Sequence, residues 1–564
     1  YSSPCNMKLD SYFGILRGSS KENIYGFRYK SKLKPNRMFQ DALTHNDWQS
    51  KHNYSPVISQ NDFGQENLDK SILYQIIDFR DSNSNSDLTF KFSPDSSRSC
   101  VSNKQELKKY KEEKNPLAGM PYGMTPLSSQ EKEIIKSWIE LGSPGPSYKE
   151  LKETENSKGN YTDIITAWNN FLNQKSIKQQ LISRYLFEHF YLSHIHFAKN
   201  NRDYFRIVRS STPFPSIIKE IVTNRPYNDP KTKKVYYRFK RIVESIVNKN
   251  HNPILLNKNK LQKIINLFSS QEWKAPRKLP TYSVSKAANP FKTFKNIPAK
   301  IRYQFFLNNS YYFVRSFIHG PVCNGEIATD VIRDHFWVTF LSPDHDPTAL
   351  NSSFLEKEAS HLAMPASAKR KIKYKKYLRK NKKYQKEHAK LVNRTFKNGL
   401  KIDHLWNVDD KNMFLTVFRH FDFASVHYGA KGIIPKTIWV LDYPIFERIY
   451  YNLVAGFNVW GGTTHKLATR KYMDLLRTES EDIFLLFFPK QIRKKLRFEW
   501  DSGLGVFKKI IRPYRYSNYV KLENSNFKSV RDVFLSMKEK FSSKILNAEK
   551  SNSLQSLESI RGTA

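Results

Sequence analysis

The feature that most constrains this chain is its load of aromatic side chains, 39 Phe, 31 Tyr and 9 Trp among 564 residues. Each ring is largely apolar, and so many cannot be left in water at tolerable cost. A persistently disordered chain is therefore excluded, and most of the rings are expected to pack a core. The length suffices for two or three domains, each burying its own core.

Charge is the second constraint. The formal net charge is +42, which calls for a polyanionic partner, either nucleic acid or an anionic membrane surface. The basic residues crowd into Lys369 to Lys390, about a dozen Lys and Arg with almost no acid. A solvated helix or loop explains this run as well as electrostatic docking does. In the docking reading Lys371, Lys375, Lys376, Arg379 and Lys383 face a bilayer, and Tyr374, Tyr377 and Tyr384 sit at its headgroup level. No zinc-finger spacing, aromatic RNA-binding signature or Walker loop is present, so a basic nucleic-acid-binding protein remains only an alternative, and no nucleic-acid partner is expected. Cys5, Cys100 and Cys323 are too widely spaced for a structural zinc site, and whether two of them pair is open. The richest apolar run, Ile483 to Phe488, is far shorter than the ~20 residues a membrane-spanning helix needs.

Punctuation divides the chain. Residues 1 to about 147 read as a first unit, Asn156 to Asn160 as a linker, residues 160–545 as a large mixed domain, and residues 546–564 as a polar tail. The first unit closes with a helix capped by Ser128 or Ser129, carrying Glu131 and Glu133 early and ended by Gly142 and the Pro144–Pro146 run. Its apolar positions are Ile134, Ile135, Trp138 and Leu141. Helical spacing is expected from Tyr161 to about Lys199, which would place His189, His194 and His196 on one helix. Strand character is read at Val235–Phe239, Tyr311–Ile318 and Leu415–His427. Ala328 to Phe340 reads as a buried helix, and helices are expected over Pro444–Val454 and His465–Arg477. No internal repeat is evident. The class is α+β, rich in helix.

The chemistry-bearing positions are few. Met120-Pro121, followed by the capped helix, resembles the closing element of small c-type cytochromes, where a thioether serves as a soft, neutral axial ligand to haem iron. Met120 is the first choice, since the next Pro pins the loop, and Met124 is the alternative; both also suit loop or core positions. No Cys-x-x-Cys-His occurs in the chain. His335, beside Asp334, and the pair His420 and Asp422, on one face of a strand, are weak catalytic candidates; ordinary hydrogen-bonded or buried groups explain them equally well.

Several blocks carry a resemblance. Cys5–Gly18, Gly119–Gly123, Arg184–His189, Leu192–Phe197, Phe205–Pro213, Arg225–Pro230, Pro298–Phe305 and Gly320–Gly325 are among them. The longest covers Leu415–Ser425, Pro435–Thr437, Trp439–Pro444, Glu447–Arg448 and Leu453–Phe457. In this order they resemble the bacterial fatty acid cis/trans isomerases. The resemblance implies a periplasmic enzyme that converts cis double bonds of unsaturated fatty acids in membrane phospholipids to trans, adapting membrane fluidity without ATP or NAD(P)H. It implies a haem c that withdraws electron density from the π bond, held in an N-terminal cytochrome c-like remnant with loop insertions. Family members carry Cys-x-x-Cys-His just before the segment matching Tyr1–Cys5, so the chain as given is expected to begin after its haem anchor and to be inactive alone. Membrane phospholipids or free unsaturated fatty acids are the implied partners, and the aromatics around Phe313, Phe317, Trp337 and Trp460 the expected groove. A c-type cytochrome with an accessory domain is the other alternative.

Overall fold

The computed structural model describes most of residues 12–20, 54–83, 100–147, 161–320, 335–362, 374–408 and 411–550, leaving out stretches within these such as 122–125, 243–250, 420–423 and 502–515. The N-terminal part contains α1 (Tyr12–Arg17), α2 (Gly64–Lys70), α3 (Ile72–Ser82), α4 (Lys104–Glu112) and α5 (Ser129–Glu140). Ser128 caps α5 in a capping box, its hydroxyl accepting from the Glu131 amide while the Glu131 carboxylate accepts from the Ser128 amide. The buried residue of α5 is Ile139, supported by half-buried Ile135 and Trp138, whereas Ile134 and Leu141 are exposed. The inward stripe is thus Ile135, Trp138 and Ile139, the residues that pack against Leu68 of α2 and Leu73, Tyr74 and Ile77 of α3.

Next come α6 (Thr162–Leu172) and α7 (Ile177–His189), then strands β1 (His194–His196), β2 (Phe205–Ser210), β3 (Tyr236–Arg241) and β4 (Pro253–Leu255). His194 and His196 therefore leave the helix that holds His189, which stops at His189 with Phe190 as its C-cap. Helices α8 (Lys258–Ser269), α9 (Ala299–Leu307) and α10 (Ser310–Ile318) lead to β5 (His335–Phe340). After the basic helix α11 (Tyr374–Thr395) the chain forms β6 (Leu415–Arg419), β7 (Ala424–Tyr428), β8 (Ile438–Leu441) and α12 (Tyr443–Tyr450), which continues as a π-turn over Tyr451–Ala455. The last elements are α13 (Thr463–Leu485), α14 (Lys490–Asp501) and α15 (Val530–Lys550). The expected helix-rich α+β class is what the structure has.

The two four-stranded sheets share one topology. Their orders are β3-β2-β1-β4 and β7-β6-β5-β8. In each, the first strand pairs antiparallel with the second and parallel with the fourth, and the second pairs antiparallel with the third. In each, a helix precedes the first strand and another follows the fourth. This repeat is architectural and leaves no mark in the residues themselves.

Two further elements differ from the sequence reading. Ser310–Ile318 is a helix although Tyr311, Tyr312, Phe313 and Val314 favour strand, because Tyr312, Phe313, Ser316 and Phe317 bury one helical face. Phe313 stacks on Phe306 at 4.1 Å. Conversely, His335–Phe340 is a strand with every residue buried, so it lacks the alternation that announces a half-exposed strand. One apolar cluster runs from Ile164 to Phe541, whereas residues 57–139 form smaller clusters of their own. At about 1.5–3 kcal/mol for each fully buried large side chain, the aromatic content is spent on this core.

Candidate functional site

The densest set of titratable groups among the described residues surrounds α12. Strand β8 ends at Leu441, and Asp442 then caps the helix, its Oδ1 accepting from the Ile445 amide at 2.8 Å. Pro444 follows in the first turn, where its fixed φ suits the helix and its missing amide costs nothing. Every residue from Tyr443 to Tyr450 is buried, so the polar groups on this helix must find partners inside the protein.

They do so on four sides. Glu447 Oε1 lies 2.7 Å from His189 Nε2, and Glu447 Oε2 accepts from the Tyr443 hydroxyl at 2.9 Å. His189 Nδ1 is 2.7 Å from the Tyr185 carbonyl and must carry a proton there, since a carbonyl can only accept. Rings close around the imidazole: Tyr450 stacks at 5.6 Å, and Phe306 and Phe313 present their edges or faces at 5.4 and 6.3 Å. Arg448 pairs with Glu479, which also accepts from Asn381 of α11 at 3.1 Å. Asp442 Oδ2 stands 3.0 Å from His388 Nε2, an ion-pair distance without hydrogen-bond alignment, and His388 Nδ1 is 2.8 Å from the Tyr516 hydroxyl. Finally, Asp346 Oδ2 accepts from the Tyr443 amide at 2.7 Å, and Oδ1 from the Thr348 hydroxyl at 2.6 Å. Burial, reinforced by the Asp442 charge, pushes the Asp346 pKa up to about 6.

A second buried group adjoins it: Tyr451 donates to Glu188 Oε2 at 2.6 Å, and Arg184 Nε donates to Glu188 Oε1 at 2.8 Å. Chemically the whole array pairs buried polar and charged groups away from water and links α12 to α7, α11 and α13. Its members are almost fully buried, so they position the domain's interior rather than meet solvent-borne reagents.

The residues singled out in the sequence fall elsewhere. His335 opens β5, buried, and stacks at 5.4 Å on Phe418, its cross-strand partner. His420, Asp422, Met124, Lys371, Trp460, Cys5 and Cys323 lie outside the described residues, as do the side chains of Tyr374, Lys375 and Lys376. Arg379 and Lys383 are exposed on α11. Tyr377 and Tyr384 are buried on its opposite face, which corrects their expected place at a headgroup layer; the helix turns them inward to pack against α13 and His388. Phe313, Phe317 and Trp337 are core residues and not walls of a groove: Trp337 donates to the Lys431 carbonyl at 3.1 Å and packs on Phe534. His194 Nδ1 accepts from the Asn252 amide at 2.9 Å and lies 3.3 Å from His251 Nδ1. Cys100 is disulfide-bonded. Asp442, Glu447 and His388 were missed, although charges within the apolar stretch Trp439–Tyr450 are a legible sign of buried polar pairs.

Met120 sits half-buried where two small apolar clusters meet. The loop that presents it is tied at consecutive residues: the Ala118 carbonyl accepts from Arg80 at 3.3 Å, the Gly119 amide donates to the Tyr110 hydroxyl at 2.9 Å, and the Met120 amide donates to the Ile76 carbonyl at 3.1 Å. A neutral thioether is a donor that haem iron accepts, and Met120, on this pinned loop, is the residue that would hold such a group. Among the described residues no group of three or more His, Cys, Asp or Glu is placed to hold a metal ion, and no helix is long and apolar enough to cross a membrane.

None of the curated proteins or solved structures compared matches the chain. Residues 33–561, nearly all of it and including both the α3–α5 region and the α12 network, match the family described as fatty acid cis/trans isomerase (CTI). The chain belongs to the fatty acid cis/trans isomerase family.

Proposed function

We propose that this protein converts cis double bonds in unsaturated acyl chains of bacterial membrane phospholipids to trans, in place and without ATP or nicotinamide. The observation that carries this reading is the family match over residues 33–561. A periplasmic location is supported by the disulfide at Cys100, since such bonds persist in oxidising compartments. Rotation about an intact double bond is far too slow, so the π bond must be weakened transiently.

A haem c, when bound, supplies an electron-poor iron that draws density from that bond. Met120 would hold it on one side, a neutral sulfur donor that favours a high iron potential. The pinned Ala118–Met120 backbone keeps that donor in place without rearrangement. The α12 network ties α12 to α7, α11 and α13 inside the large domain.

The test is expression of the full-length protein in a bacterium lacking trans fatty acids, followed by chromatography of the fatty-acid methyl esters. Trans products at the positions of former cis bonds are expected. Their absence from a stably expressed, haem-loaded protein overturns the reading.

A further inference from the structure

Helix α11 is two-faced. Its inner face buries Tyr377, Asn381, Tyr384, Gln385 and His388. Arg379, Lys383, Lys386, Lys390 and Arg394 follow one another at helical spacing along the outer face, and all are exposed. On α14, exposed Lys490, Lys494 and Lys495, with one exposed acid, Glu499, accompany Phe498, a ring that is 64% exposed.

The two helices share partners. Both pack on α13, through Asn381 to Glu479 at 3.1 Å and Arg497 to Glu481 at 2.6 Å. Both also hold the same short segment: Asn393 bonds the Tyr519 carbonyl and the Lys521 amide, and Arg493 bonds the Leu522 carbonyl. Exposed Lys521 lies in that shared segment. Lys390 is neutralised by Glu387 at 2.7 Å, but among the described residues Arg379, Lys383, Lys494 and Lys495 have no carboxylate in ion-pairing range.

We propose that the outer faces of α11 and α14, with Phe498 as their apolar tip, dock the protein on an anionic phospholipid bilayer. The proposal rests on bilayer acyl chains being the substrate. A straight row of cations along a helix suits a flat, diffuse layer of headgroup charge. A Phe ring held out among lysines is costly in water and favourable at the headgroup–acyl boundary. No nucleic-acid-binding motif accompanies the charge, which makes a lipid surface the better match. Each basic residue near such a surface strengthens binding about fivefold, and the attraction is screened over about 8 Å at physiological ionic strength.

The experiment is co-sedimentation of the full-length, haem-loaded protein with vesicles of phosphatidylcholine, with or without phosphatidylglycerol, across a salt series. The wild-type protein should bind only the anionic vesicles and be released by salt. The variant R379E/K383E/K494E/K495E should lose more than about tenfold in binding while still converting detergent-dispersed fatty acid. F498S should weaken binding without changing its salt slope. If the charge-reversed variant melts at a lower temperature, the neutralised pairs R379Q/K383Q and K494Q/K495Q replace it, each with a loss of more than about tenfold. Unchanged vesicle binding in these variants overturns the proposal. Wild-type protein that docks on anionic vesicles but converts no substrate anywhere leaves docking standing and overturns the isomerase reading alone.

Discussion

The imidazole of His189 and the carboxylate of Glu447, 258 residues apart in sequence, meet at 2.7 Å with neither side chain exposed to solvent. One end of the contact closes α7 and the other sits in the middle of α12, so it joins the halves of the large domain that carry the two sheets. Because His189 Nδ1 already holds a proton against the Tyr185 carbonyl, the remaining proton belongs to the pair. Either an imidazolium faces a carboxylate, or a neutral imidazole faces a carboxylic acid.

Removing one partner should therefore be costly. Glu447→Ala leaves a buried imidazole and a buried Tyr443 hydroxyl unpaired, and a loss of about 3–5 kcal/mol is expected from urea unfolding. The doubly apolar variant His189→Phe/Glu447→Leu should lose much less than the two single replacements together. A strictly additive result would show that the two side chains do not act as a pair.

Asp346 should make stability pH-dependent with a definite sign. Its pKa is raised from 3.8 to about 6 by burial and then by the Asp442 charge. Between those values the folded state holds a proton that the unfolded chain has released. The stabilisation is fully present below pH 3.8 and is lost as pH rises through about 6. Its size is on the order of 1–3 kcal/mol. Unfolding free energies measured from pH 4 to 7 should fall with a shallower slope in Asp346→Asn than in the wild type. Equal slopes would assign the pH dependence to other groups.

Gly119 tests the pinned loop. Its φ is +101°, and an added Cβ would stand 2.5 Å from the Arg80 Cα. Gly119→Ala should destabilise the N-terminal region by about 1–3 kcal/mol, seen as early loss of amide protection in α3. An unperturbed exchange pattern would mean that the loop is not held as described.

Met120 tests the proposed haem contact. In full-length, haem-loaded protein, Met120→Ala should shift the Soret band and lower the reduction potential, because the thioether is the donor that favours ferrous iron. A spectrum and potential identical to those of the wild type remove Met120 from the ligand set.

Local signals were legible in the residues alone. A cap at Ser128 or Ser129 for α5, strand character over Leu415–His427 and the helix-rich class could all be read, because capping and strand propensity act over a few positions. The family was legible too, in ordered blocks spread along the chain.

Tertiary structure decided the rest. Tyr311–Ile318 carries strand-favouring residues yet is helical, because only a helix turns Phe313 onto Phe306 and Tyr450. His335–Phe340 is buried on both faces and so loses the period that would name it a strand. The basic run around Lys383 reveals its two faces only once Tyr384 and His388 are seen turned inward. The partners Glu447–His189 and Asp442–His388 are set by which distant helices must share one dry interior, where an unpaired polar group is too costly to keep. That cost is paid across the fold, and no local stretch of sequence records it.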